Sequence, residues 1–153
     1  MFKLITDLIS LNNLMINKIR SVTAFDEAIA LHKAKEYRKA FPLMIEASNL
    51  GEVKAMSILG SMYLLGQGTK ENGAEAVLWL QRSIDGGYEE SESVLGMALA
   101  TGKAGVPIDT NRAKELLSRA AAKGDTQSAR MLEMMERGEG MFRKSAKYRH
   151  KAQ

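Results

Sequence analysis

The stretch AMSILGSMYLLGQGTKENGAEAVLWLQRSIDGG, Ala55 to Gly87, decides how the chain folds. It opens as an apolar helix, halts at Gly66 and Gly68, and starts a second amphipathic run within a few residues. In that run Ala76, Trp79, Leu80, Ser83 and Gly87 stand at offsets 0, +3, +4, +7 and +11. Offsets of +3, +4 and +7 share one helix face; the small residues at 0 and +7 admit a neighbouring helix, and the large ones between them fill the gap. Glycine at +11 suits the left-handed residue that closes a helix.

The series occurs on both sides of this unit. Ala40, Leu43, Met44, Ala47 and Gly51 precede it and Ala113, Leu116, Leu117, Ala120 and Gly124 follow, so the closing glycines lie 36 and 37 residues apart. The first helix repeats as well, with Ala55, Leu59, Gly60 and Gly66 matched by Ser91, Leu95, Gly96 and Gly102. Four residues before each small residue lies a helix start. Asn72, with Glu75 three later, reads as a capping box, and Asp109 as an N-cap. The first copy has the weaker Glu36, and its Pro42 requires a first turn beginning at about Lys39 to Phe41 if the proline is to cost little. Each unit is therefore a helix hairpin of about 36 residues whose outer faces stay in water unless neighbours stack on them.

The fold expected from this period is all-α, an α/α solenoid of stacked helix hairpins with an extra N-terminal helix. Residues 1–23 are expected to form an amphipathic helix packed on the repeats, with Phe2, Ile5, Ile9, Ile16 and Ile19 at helical spacing. Residues 24–153 form the solenoid: a capping copy at 24–51, units at 51–87 and 87–124, and a degenerate C-terminal cap at 124–153. There Ser145, Tyr148 and Ala152 faintly echo the second-helix series.

Composition narrows the chemistry. The chain of 153 residues is 45% apolar and 26% charged, as in globular proteins, and contains no cysteine, which removes disulfides, thiolate nucleophiles and Cys-ligated metals. Asp7, Asn12 and Asn13 interrupt the apolar N-terminal segment, and no small-x-small cleavage site follows, so it does not read as a signal peptide. It also lacks the roughly 18 apolar residues of a membrane span. A helix lying on a membrane surface is the alternative, but its polar side carries few cations. The expected location is the cytoplasm. The net charge of +4 hides an asymmetry: residues 51–102 hold 3 basic and 7 acidic side chains, residues 103–153 hold 12 and 6.

Catalytic patterns are missing. His32 and His150 lack ligand-type spacing, and there is no phosphate loop, dinucleotide fingerprint or nucleophile elbow. No enzyme activity, cofactor or metal is expected. The acidic cluster Glu89, Glu90 and Glu92 sits at a helix start, where negative charge meets the helix dipole favourably. Arg143, Lys144, Lys147, Arg149 and Lys151, with Tyr148 among them, form the one candidate for nucleic-acid binding, read first as a solvated terminal cap. Of the ten methionines, Met44 and Met62 fall at core offsets.

LGSMYLLGQG, the series Ala76, Trp79 and Gly87, and GVPIDTNRAKELLSRAAAKG together resemble the Sel1-like repeat, a relative of the tetratricopeptide repeat. The resemblance covers residues 51 to 138, while 24–51 looks more like a tetratricopeptide capping copy. Thr69 and Asn72 replace the usual Val and Asp, Leu99 replaces the Tyr seen as Tyr63, and Glu133 stands where Gly is expected. The resemblance implies a non-enzymatic protein-binding module whose first helices line a concave face. That face would present Lys54, Ser57, Ser61 and Leu64, then Glu90, Ser93, Met97 and Thr101, then Gln127, Arg130, Met134 and Arg137. Among short bacterial Sel1-like proteins it implies most specifically an immunity protein that neutralises a secreted toxin. A regulatory or scaffolding adaptor is the alternative, and nucleic-acid binding through the basic end a second one.

Overall fold

The computed structural model describes residues 2–138, and these form seven helices with no strand among them. The elements are α1 (Phe2–Lys33), α2 (Tyr37–Asn49), α3 (Val53–Leu65), α4 (Gly73–Asp85), α5 (Glu90–Thr101), a 3-10 turn (Lys103–Gly105), α6 (Thr110–Ala122) and α7 (Thr126–Glu136). The basic run Arg143 to Lys151, His150, and the echo residues Ser145, Tyr148 and Ala152 lie outside the described residues.

The hairpins are built as the period predicts. Each of α2, α4 and α6 is 13 residues long. Ala40, Met44, Ala47, Ala76, Leu80, Ser83, Ala113 and Leu117 in them are fully buried, with Trp79, Leu116 and Ala120 nearly so. Gly51, Gly87 and Gly124 close the units at φ +92°, +90° and +95°, a region that costs L-residues but not glycine. The first helices reverse at Gly66 and Gly68, which answers why α3 ends so abruptly: both have positive φ, and a side chain on Gly68 would collide with the Tyr37 carbonyl of the preceding unit.

Close approach explains the glycines inside α3 and α5. A Cβ on Gly60 would stand 2.6 Å from Leu80 Cγ, and one on Gly96 would stand 2.8 Å from Leu117 Cγ. The backbone of each first helix therefore rests on the large residue of its own second helix. Two adjoining cores result. One joins α1, α2, α3 and Trp79 of α4 around Met44, Leu59 and Met62; the other joins α3 to α7 around Leu80, Leu95 and Leu117, and Tyr63 packs against both. Serines stitch the helices: Ser91 Oγ donates to Ser83 Oγ of the preceding unit at 2.8 Å, and Ser83 Oγ to the Val53 carbonyl of its own unit at 2.7 Å.

Three expectations are revised. Residues 2–20 are helical but exposed at every position, and α1 runs unbroken from them into the first hairpin; only from Ser21, Ala24 and Ala28 onward does it pack on α2. Amphipathic spacing marks a face that wants cover without saying what supplies it. Second, α2 begins at Tyr37, so Pro42 sits past the first turn and leaves the Arg38 carbonyl without its helical N–H donor. Third, the capping box is half made. Asn72 Oδ1 accepts the Glu75 N–H at 3.2 Å, but the Glu75 carboxylate takes the Trp79 indole N–H instead, also at 3.2 Å. Asp109 caps α6 through the Arg112 N–H as expected, and Glu36 makes no side-chain cap.

Candidate protein-binding groove

Successive first helices α3, α5 and α7 lie side by side, and a groove of about 260 Å³ runs between them, lined by Ser61, Leu64, Leu65, Ser93, Val94, Met97, Ala98, Thr101, Lys103 and Gln127. Its floor is apolar and its edges carry hydroxyls, one amide and one ammonium. A second hollow of about 460 Å³ adjoins it at Ser93 and Val94, walled by Glu89, Glu90, Lys123 and Asp125. The larger space, about 670 Å³, is on another part of the surface, between the start of α2 and the Gly66–Lys70 loop.

Six of the twelve residues expected on the inner face line the groove: Ser61, Leu64, Ser93, Met97, Thr101 and Gln127. Leu64 does so from the core, at 6% exposure, and Ser57 is buried away from the face at 7%. Glu90 lines the adjoining hollow. Lys54, Arg130, Met134 and Arg137 are exposed but lie outside both cavities, and Arg137 faces Glu133 at 3.9 Å. Leu65, Val94, Ala98 and Lys103 were not singled out in the sequence. Leu65 is 56% exposed, an apolar side chain at the groove edge that register alone assigned to no face.

Hydrogen bonds hold the inner helices in place. Asp125 caps α7 by accepting the Ser128 N–H at 3.0 Å, and also accepts the hydroxyls of Ser93, at 2.7 Å, and Ser128. The Ser128 and Ser93 hydroxyls hold its carboxyl below the usual carboxylate range. Asp125 is thus a fixed negative charge that ties α5 to α7, and Ser93 is committed to it. The Thr101 hydroxyl turns back to the Met97 carbonyl at 2.8 Å, and that of Ser61 to the Ser57 carbonyl at 3.1 Å.

Across α5 and α6, Glu92 is buried and ion-paired. Arg119 Nε lies 3.2 Å and Lys123 Nζ 3.0 Å from its carboxylate, and Lys123 also reaches Glu89 at 3.1 Å. The hydrogen bond to Glu92 raises the Lys123 pKa. The acidic cluster is therefore structural in part: Glu89 and Glu92 are spoken for, and Glu90 faces solvent. His32, on α1, contacts Gln67 at 3.1 Å and the edge of Tyr37, with no nucleophile in this network.

What the arrangement offers is surface. Alone, the groove is smaller than the roughly 300–1,000 Å³ of small-molecule sites and suits one or two side chains of a larger partner, while the adjoining hollow of about 460 Å³ falls within that range. Stacked helix hairpins with an inner groove define the class, an α/α solenoid. The chain carries two Sel1 repeats, at residues 53–88 and 90–125. These are in general protein-interaction modules.

Solved structures agree on the fold. A protective antigen of uropathogenic Escherichia coli displaying an SLR fold superposes with a TM-score of 0.69 at 28% identity, over 80% of this chain and 27% of that one. A Sel1 repeat protein from Oxalobacter formigenes gives 0.65 at 21% identity, over 74% and 47%. Cysteine rich protein B of Helicobacter pylori gives 0.59 at 19% identity, over 78% and 95%. The chain thus spans about a quarter of the first structure's length and about half of the second's. No curated protein matches the sequence.

Proposed function

We propose that the chain is a non-enzymatic binding module that holds a segment of another protein along α3, α5 and α7. The carrying observation is the groove, whose apolar floor of Leu64, Val94, Met97 and Ala98 is edged by Ser61, Thr101, Gln127 and Lys103. An apolar centre with a polar rim is the anatomy of a protein interface, and a half-buried methionine adapts to the side chain it receives. The exposed Arg130 and Arg137 beyond the groove, the latter beside Glu133, belong to a stretch of mixed charge that influences how fast a charged partner arrives. Capture from cells with the wild-type chain and with Met97→Glu tests this reading. The partner co-purifies with the former and is lost from the latter; equal recovery by both rejects the groove.

The narrower reading is an immunity protein acting in the cytoplasm by covering the active site of a secreted toxin. It rests on the resemblance to short bacterial Sel1-like proteins and on the absence of catalytic motifs from the sequence. Co-expression with toxins encoded beside it separates this from an adaptor: an immunity protein restores growth against one of them, and an adaptor against none.

A further inference from the structure

The segment Phe2–Arg20 is exposed along its whole length, yet much of it is large and apolar. At about 3.6 residues per turn, Ile5, Leu8, Met15, Ile16, Ile19 and Val22 share one side of α1. The opposite side carries Thr6, Ser10, Asn13 and Asn17, and continues as Ser21, Ala24 and Ala28, which are buried where α1 meets α2. The apolar side therefore faces away from the solenoid. Beyond Val22 the same side turns polar at Asp26, Glu27 and Lys33, all exposed, so whatever covers it stops at about Val22.

We infer that this side is an interface with the same segment of a second copy, the two arms packed antiparallel about a two-fold axis beside Asn12. Two features set that alignment. Asp7 and Lys18 lie along one edge of the apolar side. In an antiparallel two-fold pair that edge meets its own copy, so Asp7 of each arm faces Lys18 of the other; in a parallel pair the edge meets the opposite one and the charges find no match. Among the described residues neither has an ion-pair partner within the chain, whereas Arg20 is taken by Glu46 of α2 at 2.6 Å. The same alignment brings the two Asn12 side chains, polar residues in the middle of the apolar side, together at the axis. A single buried asparagine pair is a device that fixes register and partner number.

The area suffices. A leucine or isoleucine side chain offers on the order of 60–120 Å² of apolar surface, and the exposed fractions along this side bring the total for two arms to about 1,000 Å², the threshold of a specific interface. A membrane-surface helix fits less well, since its polar side carries only Lys3 and Arg20, the latter paired with Glu46, and Lys18 lies at the apolar edge.

Sedimentation of the purified 153-residue chain tests the proposal. The chain is expected to be dimeric at micromolar concentration, and Leu8→Asp with Ile19→Asp to make it monomeric while Trp79 fluorescence, a probe of the solenoid, stays unchanged. Asp7→Lys or Lys18→Asp alone weakens association about tenfold, and the two together restore it. A monomeric wild-type chain overturns the proposal, including one that is monomeric in solution but floats with phosphatidylserine vesicles. Single charge variants that do not weaken the dimer, or a pair that does not recover it, overturn the antiparallel alignment.

Discussion

Placing a methyl group on Gly60 probes the contact on which each hairpin depends. The new Cβ would stand 2.6 Å from Leu80 Cγ, 3.1 Å from Leu80 Cδ2 and 3.2 Å from the Ala76 carbonyl oxygen. Carbon atoms prefer about 3.5–4.0 Å, so α3 and α4 must part by about 1 Å or Leu80 must leave its rotamer. Overpacking of this kind costs about 1–3 kcal/mol, while replacing a mid-helix glycine by alanine returns about 1 kcal/mol of helix propensity. Gly60→Ala is therefore expected to destabilise by about 1 kcal/mol, a fall of roughly 2–4 °C in Tm for a chain of this size. Urea unfolding followed by Trp79 fluorescence measures it. Leu80→Ala removes both of the Leu80 atoms in the way, so the double variant should be more stable than the sum of its parts by about 1 kcal/mol. If Gly60→Ala stabilises by the full propensity difference, the helices are not in contact there and the packing described above is wrong.

Further outcomes follow from other contacts. Gly87 has φ +90° and nothing within 4 Å of a Cβ, so Gly87→Ala should cost about 1–2 kcal/mol through backbone strain alone, and a second change at a neighbouring side chain should not relieve it. Because hydrogen bonding lowers the Asp125 pKa in the folded state, its contribution to stability is present above the unfolded value of 3.8 and is lost as pH falls through the lower folded value. Acid titration of Asp125→Asn should accordingly show a shallower loss of α7 protection below about pH 4 than the wild type. Removing both cations from buried Glu92, as Arg119→Met with Lys123→Met, should destabilise more than Glu92→Gln added to that pair, because the triple variant leaves no charge buried alone. Arg130→Glu with Arg137→Glu should slow association with the partner and flatten its salt dependence, leaving the Tm in place.

Much of the fold is legible in the sequence because the repeat is written in it three times. One appearance of the offsets 0, +3, +4, +7 and +11 describes any amphipathic helix with a glycine cap; three at 36 and 37 residues describe neighbours that must stack. Steric demands that act within one helix, such as the left-handed glycines and the Asn72 and Asp109 caps, can be read directly. Features that depend on what lies across a contact cannot. Glu75 abandons its capping role because the Trp79 indole, one turn on, offers a better donor. Ser57 drops out of the inner face because α3 turns it into the packing, and Leu65 enters for the same reason. The ties of Ser83 to Val53, Glu92 to Lys123 and Ser93 to Asp125 join residues 30, 31 and 32 apart. A search for complementary polar pairs just under one repeat apart would have found the last two, but not the first, whose acceptor is the backbone of an apolar residue. The N-terminal arm shows the limit most clearly: its apolar side was legible, and its exposure was not.

The proposed function requires the inner helices, and not the outer ones, to meet the partner. Site-specific photocrosslinking tests it most directly, with a photoreactive residue at Met97 in the groove and, in a second chain, at Leu78, 44% exposed on the second helix α4. In the native cell the Met97 probe should give a discrete protein adduct that the Leu78 probe does not. Adducts at Leu78 with none at Met97 would put the partner on the outer helices instead.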